Sequence, residues 1–244
     1  LNLILDFGNT NRKLALFDQG RLVDLEQHPE ITLSLIRRFI VKHPGIQRCI
    51  LSTVIDYPSP IKRFLSSKLF FLELDEKTPL PLKNRYRSPA TLGKDRLAAA
   101  VGGTALFPGE PVLVINAGTC ITYDLVSSRN EYLGGAITPG LQMRLQALHT
   151  FTGKLPLISL RNSEILTGRT TEESILSGVL AGTAAEMEGM VDRFSAQNPE
   201  LKTILSGGDQ NYFNKRLKIS IFARPNIVLS GLQQILQFNV DTTP

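Results

Sequence analysis

Apolar runs and polar breaks divide the chain into short strands and helices. Leu3-Ile4-Leu5 is an apolar run that delivers Asp6 to a turn at Gly8-Asn9, and Arg12 to Phe17 resumes an extended pattern. Gly and Asn tolerate positive φ, so this stretch reads as strand, tight turn and strand. Gln19-Gly20 marks a second turn, followed by a third strand from Arg21 to Leu25. From Ile31 to Lys42 apolar residues recur at Leu33, Ile36, Phe39 and Ile40, the spacing of an amphipathic helix, and His43-Pro44-Gly45 stops it. Arg48 to Val54 reads as a buried strand, Ile61 to Lys68 as a helix and Phe70 to Leu74 as a short strand. Pro79 to Pro89 carries three prolines and reads as a loop. Thr91 to Phe107 forms a helix that ends at Pro108-Gly109.

The opening pattern then recurs. Pro111 to Ile115 is an apolar strand that leads into Asn116-Ala117-Gly118-Thr119, Ile121 to Val126 alternates as a returning strand, and Glu131 to Ile137 supplies a third. Thr171 to Phe194 reads as a long helix, Thr203 to Ser206 as a strand, and Gly207-Gly208-Asp209 as a turn. Asn211 to Arg216 starts another helix and Leu229 to Gln237 forms the last. Repetition of one grammar implies two related domains facing each other, here 1–108 and 109–244. Three strands followed by alternating helix and strand make a mixed sheet with helices packed on it.

Composition narrows the class. Of 244 residues, 42% are apolar and 20% charged, enough to build a sizeable core and to argue against disorder. The surplus of 27 Lys and Arg over 22 Asp and Glu is scattered in doublets such as Arg37-Arg38 and Lys62-Arg63, which excludes a concentrated nucleic-acid surface. Cys49 and Cys120 read as free, buried thiols, and His28, His43 and His149 have no metal-ligand spacing. No long apolar run appears, so a membrane span is not expected and a cytoplasmic location is.

The chemistry sits at the turns. Asp6 at a strand end can hold hydrated Mg²⁺, which takes one or two carboxylates plus phosphate oxygens. Backbone N–H groups of the turn and the Thr10 hydroxyl can meet phosphate directly. Taken alone, such a turn is an ordinary hairpin; a second copy makes the pair a candidate nucleotide clamp. Near residue 93, Gly93 allows close approach of a ligand, and Asp95 and Arg96 open a helix whose N-terminus favours negative charge. Taken alone, Asp95 could equally be an ordinary first-turn residue, and Arg96 an ordinary surface ion pair.

Five motifs occur in one order: Asp6-x-Gly-Asn-Thr-x-x-Lys13, Gly93-x-Asp-Arg96, Gly118-Thr119-x-x-Thr122, Gly134-Gly135-x-Ile137-x-Pro139-Gly140 and Leu205-Ser206-Gly207-Gly208-Asp209. The series resembles type III pantothenate kinases, within the acetate and sugar kinase, heat-shock chaperone and actin superfamily. The resemblance implies an α/β fold of duplicated actin-like (ribonuclease H-like) domains, each a mixed sheet with flanking helices. It further implies ATP-dependent phosphorylation of pantothenate to 4′-phosphopantothenate, the first step of coenzyme A synthesis. On that resemblance, Asp6, Phe7, Gly8, Asn9, Thr10, Asn11, Arg12 and Lys13 form the first ATP loop, with Asp6 near Mg²⁺, and Thr119 contacts ATP in the second. Tyr86, Gly93, Lys94, Asp95 and Arg96 bind pantothenate, with Asp95 as general base, and Thr171 reaches pantothenate across a homodimer interface.

One position departs from the family. Asn116 stands where an Asp associated with a monovalent cation is usual, which leaves dependence on K⁺ or NH₄⁺ open. Two other readings stay on the table: another small-molecule kinase of the same superfamily, and a nucleotide-binding regulator without turnover. The small residues Gly178, Gly182 and Gly189 of the long helix suit close packing either in the core or in a dimer.

Overall fold

The computed structural model describes residues 1–242, which form two compact units. The first contains residues 1–109, 130–133 and the chain from Asn226 on; the second contains 110–129 and 134–225.

In the first unit β1 (Asn2–Phe7), β2 (Arg12–Asp18) and β3 (Arg21–His28) make an antiparallel meander. Then come α1 (Leu33–Lys42), β4 (Arg48–Thr53), α2 (Ser59–Lys68) and β5 (Phe70–Glu73), and the sheet order is β3-β2-β1-β4-β5. β4 runs parallel to β1, and β5 parallel to β4. Leu3, Leu5 and Phe7 pack with Cys49 and Leu51 against Ile36 and Phe39 of α1 and Ile61 and Leu65 of α2. The period-2 alternation of a strand therefore puts Asn2, Ile4 and Asp6 on the other face. Thr32 caps α1 by accepting the Leu35 N–H at 3.3 Å, and α2 begins with Pro60 in its first turn.

The segment expected as a loop contains a two-residue strand, β6 (Lys83–Asn84), which pairs with Glu131 and Tyr132. A short 3₁₀ turn at Pro89–Thr91 precedes α3 (Lys94–Leu106), so the helix expected from Thr91 starts three residues later.

The second unit repeats the plan with β7 (Val112–Ala117), β8 (Cys120–Val126) and β9 (Glu131–Pro139), whose first residues belong to the first unit. α4 (Leu141–Thr150), α5 (Thr171–Gln197), β10 (Lys202–Ser206), α6 (Gln210–Asn214) and β11 (Phe222–Ala223) follow. The strands order as β11-β10-β7-β8-β9-β6, with β7 antiparallel to β8 and parallel to β10. From β11 to β9 that is the order of the first sheet, and β6 adds a sixth strand at the edge. Leu113, Ile115 and Ala117 pack with Ile121, Tyr123 and Leu205 against α4 and α5, while Asn116 lies on the opposite face. Thr170 caps α5 by accepting the Glu173 N–H, with Glu172 and Glu173 favourably placed in its first turn. α4 and β11 had no expectation from the sequence.

The last helix, α7 (Ile227–Thr242), is longer than expected and belongs to the first unit. It lies on α3 because two glycines let the backbones meet: a Cβ at Gly231 would stand 1.7 Å from the Ala98 carbonyl oxygen, and one at Gly102 2.6 Å from that of Ile227. Asn2 Nδ2 donates to Gln233 Oε1 at 3.0 Å, tying α7 to β1. Where the sequence suggests one boundary at 108/109, the chain passes between the units at 109/110, on either side of 130–133, and at 225/226.

Cys49 is buried, but Cys120 is only partly so; both are free thiols. His28 and His43 bond Glu26 and Asp24, and His149 bonds the Leu155 carbonyl. Among the described residues no helix is long and apolar enough to cross a membrane.

Candidate active site

In the first unit the β1–β2 hairpin sets Asp6 opposite Lys13 and Phe7 opposite Arg12. The Gly8 N–H closes the turn on the Asn11 carbonyl at 3.1 Å, leaving Asn9, Thr10 and Asn11 exposed. Phe7 is 2% exposed and meets Tyr57 edge-on, so only its backbone is available to a ligand. Arg12 donates to the Pro29 carbonyl, which commits its guanidinium to the end of β3. The structure thus groups Asp6 and Lys13 and turns Phe7 and Arg12 to structural contacts.

α3 supplies the second half of this cluster. Asp95 lies in its first turn, close enough for its charge to act on Asp6. Burial pushes the Asp6 carboxyl up to about 6; the Lys13 ammonium pulls it down and the Asp95 charge pushes it up. Gly93 caps α3, and a Cβ there would stand 2.6 Å from Asp95 Oδ1, so a side chain at 93 would displace that carboxylate. Arg96 is buried, with its guanidinium carbon 5.9 Å from the centre of the Tyr86 ring. Tyr86 in turn packs on Tyr132 at 6.0 Å, and its N–H donates to Asn84 Oδ1. Lys94 opens the helix, and its charge helps hold the Asp75 carboxyl below its ordinary value, after the hydrogen bonds to Thr78 and Lys77.

In the second unit Asn116 is the register partner of Thr122 on β8 and of Ser206 on β10. Thr119 is held through its backbone: the Gly140 N–H donates to its carbonyl at 3.1 Å, and a Cβ at Gly140 would be 1.9 Å from the Gly118 oxygen. The Gly207-Gly208 turn braces the same hairpin. Gly207 has φ +101°, a Cβ there would be 2.1 Å from the Ala117 oxygen, and the Asp209 N–H donates to that oxygen at 3.0 Å. Burial also pushes the Asp209 carboxyl up. Thr171 is exposed at the first position of α5, in the second unit, whereas Tyr86 and Gly93 to Arg96 are in the first.

One group escaped sequence reasoning. Asp124 is fully buried on β8 and accepts the Thr122 hydroxyl proton at 2.9 Å. The alternation of Ile121 to Val126 carried the signal, since it places a carboxylate on the same sheet face as Asn116 and Thr122.

The first unit offers a carboxylate pair with a lysine. The second offers a neutral turn braced by glycines. The sequence model described as type III pantothenate kinase matches residues 2–193. A type III pantothenate kinase of Christiangramia forsetii is 42% identical over 242 residues, covering 98% of this chain and 99% of that protein. One from Phocaeicola vulgatus is 42% identical over 240 residues, with 98% and 99% covered. Among solved structures, a glucokinase from an Antarctic psychrotroph superposes with a TM-score of 0.54 at 13% identity, covering 97% of this chain and 98% of that one. The ADPNP-bound activator of the 2-hydroxyisocaproyl-CoA dehydratase from Clostridium difficile gives 0.55 at 12% identity, covering 100% and 98%. These likenesses show the fold, the duplicated actin-like α/β plan of nucleotide-dependent kinases and ATPases. With most of its length matched, the chain belongs to the type III pantothenate kinase family.

Proposed function

We propose that this chain transfers the γ-phosphoryl group of ATP to the 4′-hydroxyl of pantothenate, the step that opens coenzyme A synthesis. Beyond family membership, the observation that carries the reading is the Asp6–Asp95 pair, two carboxylates of one unit whose charges interact. Phosphoryl transfer asks a protein mostly for positioning and charge neutralisation.

Kinases of this kind use ATP with a divalent metal, and Mg²⁺ is the ion we assign. The residues fit it: Asp6 and Asp95 are two carboxylates whose charges interact, and Mg²⁺ needs only one or two carboxylates beside phosphate and water. When bound, Mg²⁺ neutralises charge on the phosphates. Asp6 would hold the ion, Gly8 to Asn11 and Lys13 would meet phosphate oxygens, and Thr119 would do so in the second turn. Asp95 accepts the proton of the pantothenate hydroxyl as that oxygen attacks phosphorus in line. Arg96, beside Tyr86, suits the pantothenate carboxylate, since a guanidinium binds carboxylates in a bidentate fork. Lys94 and Gly93 shape the same end of α3. Asn116 offers a neutral oxygen, so K⁺ or NH₄⁺ stimulates weakly.

The test is ADP release from ATP and Mg²⁺ with pantothenate, glucose or acetate as acceptor, each with K⁺, with NH₄⁺ and with neither. Turnover with pantothenate alone is expected. Turnover only with glucose or acetate identifies another kinase of the superfamily. Nucleotide binding without turnover identifies a regulator.

The active form we assign is a homodimer through α5. Gly178, Gly182 and Ala185 follow one another along an exposed helical face, and Cβ atoms added at Gly178, Gly182 or Gly189 would meet nothing within 4 Å. Light scattering should find a dimer, and Gly182→Glu a monomer that has lost the contribution of Thr171 to pantothenate binding. A wild-type monomer with full activity removes this assignment.

A further inference from the structure

Ser52 closes the apolar run of β4 and is fully buried, and among the described residues its hydroxyl oxygen has no hydrogen-bond partner. A buried hydroxyl left without a partner costs stability, so its presence calls for a reason other than packing. Its position supplies one. Ser52 is the register partner of Asp6 on the parallel side, as Lys13 is on the antiparallel side. Register partners share a sheet face, so Lys13, Asp6 and Ser52 form a row across three strands, on the face turned away from α1 and α2. The charged groups acting on Asp6 there are Lys13 of β2 and Asp95 of α3. The α7 contact with β1 is made by the neutral Gln233. The second unit repeats the placement: buried Ser206 of β10 is the register partner of Asn116.

An ionised carboxylate only accepts hydrogen bonds, and a serine hydroxyl can donate one. We infer that Ser52 is a positioning residue for the first phosphate turn: its hydroxyl donates to the Asp6 carboxylate when metal–nucleotide is bound, fixing which carboxylate oxygen faces the ligand. The inference rests on the reading of Asp6 as the metal–nucleotide carboxylate.

The test compares wild type, Ser52→Ala, Ser52→Cys and Ser206→Ala. It reads melting temperature, calorimetric affinity for a non-hydrolysable ATP analogue with Mg²⁺, and kcat and KM for each substrate. Losing one hydrogen bond to a charged group should weaken analogue binding by about 10–100-fold in Ser52→Ala. KM for pantothenate should stay put, and the melting temperature should not fall, because the free protein loses no bond. Ser52→Cys keeps the volume but donates weakly, so it should follow Ala. Ser206→Ala, facing a neutral amide, should lose less than about 10-fold. Analogue affinity in Ser52→Ala within about twofold of wild type overturns the inference, as does a variant that melts earlier or does not fold. A wild-type protein that binds no Mg²⁺ analogue overturns the Asp6 reading instead.

Discussion

The β1–β2 and β7–β8 hairpins occupy corresponding places in two sheets that share a run of five strands, yet they differ in charge and in bracing. β1 and β7 even share a burial pattern, with a single incompletely buried residue at the fifth position: Asp6 in one, Asn116 in the other. Around Asp6 stand a lysine, a serine and a second carboxylate from a helix N-terminus. Around Asn116 stand a threonine and a serine, and a carboxylate on that face, Asp124, is fully buried and bonded to Thr122. The second turn, unlike the first, is wedged by glycines from two other elements, Gly140 and Gly207. The two hairpins thus share a scaffold and differ in what they hold: the first carries the charged groups, the second is braced by glycines.

The largest effect should come from removing charge at the first turn. Asp95→Asn should lower kcat by about 10²–10⁴-fold with little change in melting temperature, measured by steady-state kinetics and thermal unfolding. A variant that keeps full kcat removes Asp95 from the base role and dissolves the contrast between the two turns.

Asp6→Asn should also abolish most turnover while making the free protein more stable. The Asp6 pKa is raised from 3.8 to about 6 on folding. An acid raised in this way contributes stability that is present below its unfolded value and lost as pH rises through the folded one. At neutral pH the buried charge therefore costs stability on the order of 1–3 kcal/mol, which the Asn variant recovers. Urea unfolding should show the gap between variant and wild type narrowing as pH falls from about 7.5 to about 4.5. For the wild type, kcat/KM should drop as pH falls through about 6 and Asp6 takes up a proton.

The bracing can be tested by paired glycine substitutions. Gly140→Ala forces a methyl to within 1.9 Å of a backbone oxygen and should destabilise by about 2–4 kcal/mol. Gly8→Ala meets only the Asn11 oxygen at 3.1 Å and should cost less than about 1 kcal/mol. Equal losses in denaturant titration would mean that the two turns are equally rigid.

Asn116→Asp is the mildest change and the sharpest for the comparison. It restores a charge to the second turn and should make kcat/KM respond to K⁺ by about 2–10-fold more than wild type does. An unchanged K⁺ response would place the difference between the turns in their bracing alone.

The strand meanders were legible in the sequence because alternation and turn residues act locally. Leu3 to Leu5 and Val112 to Ile115 announce buried strands without help from distant residues. The two-residue strands β6 and β11 were not legible, because they are strands only by virtue of partners elsewhere. α4 was missed because Leu141 and Leu145 are its only buried residues, too sparse an apolar stripe to stand out. The membership of α7 was hidden for the same reason in a longer-range form: it depends on Gly102 and Gly231, which meet only after folding. At the site, residue types were readable but their aim was not. Nothing in the sequence separates Lys13, which stays beside Asp6, from Arg12, which leaves for Pro29.

The placement of α7 has a consequence for how the chain matures on the ribosome. β1 to β5 of the first unit precede the second unit in the chain, but α7, which covers one face of their sheet, is synthesised after the whole second unit. A nascent chain that has reached Pro225 holds every strand of both sheets, with the glycine seam of α3 and the back of β1 still bare. Each round of synthesis must therefore keep that apolar seam from strangers until α7 emerges.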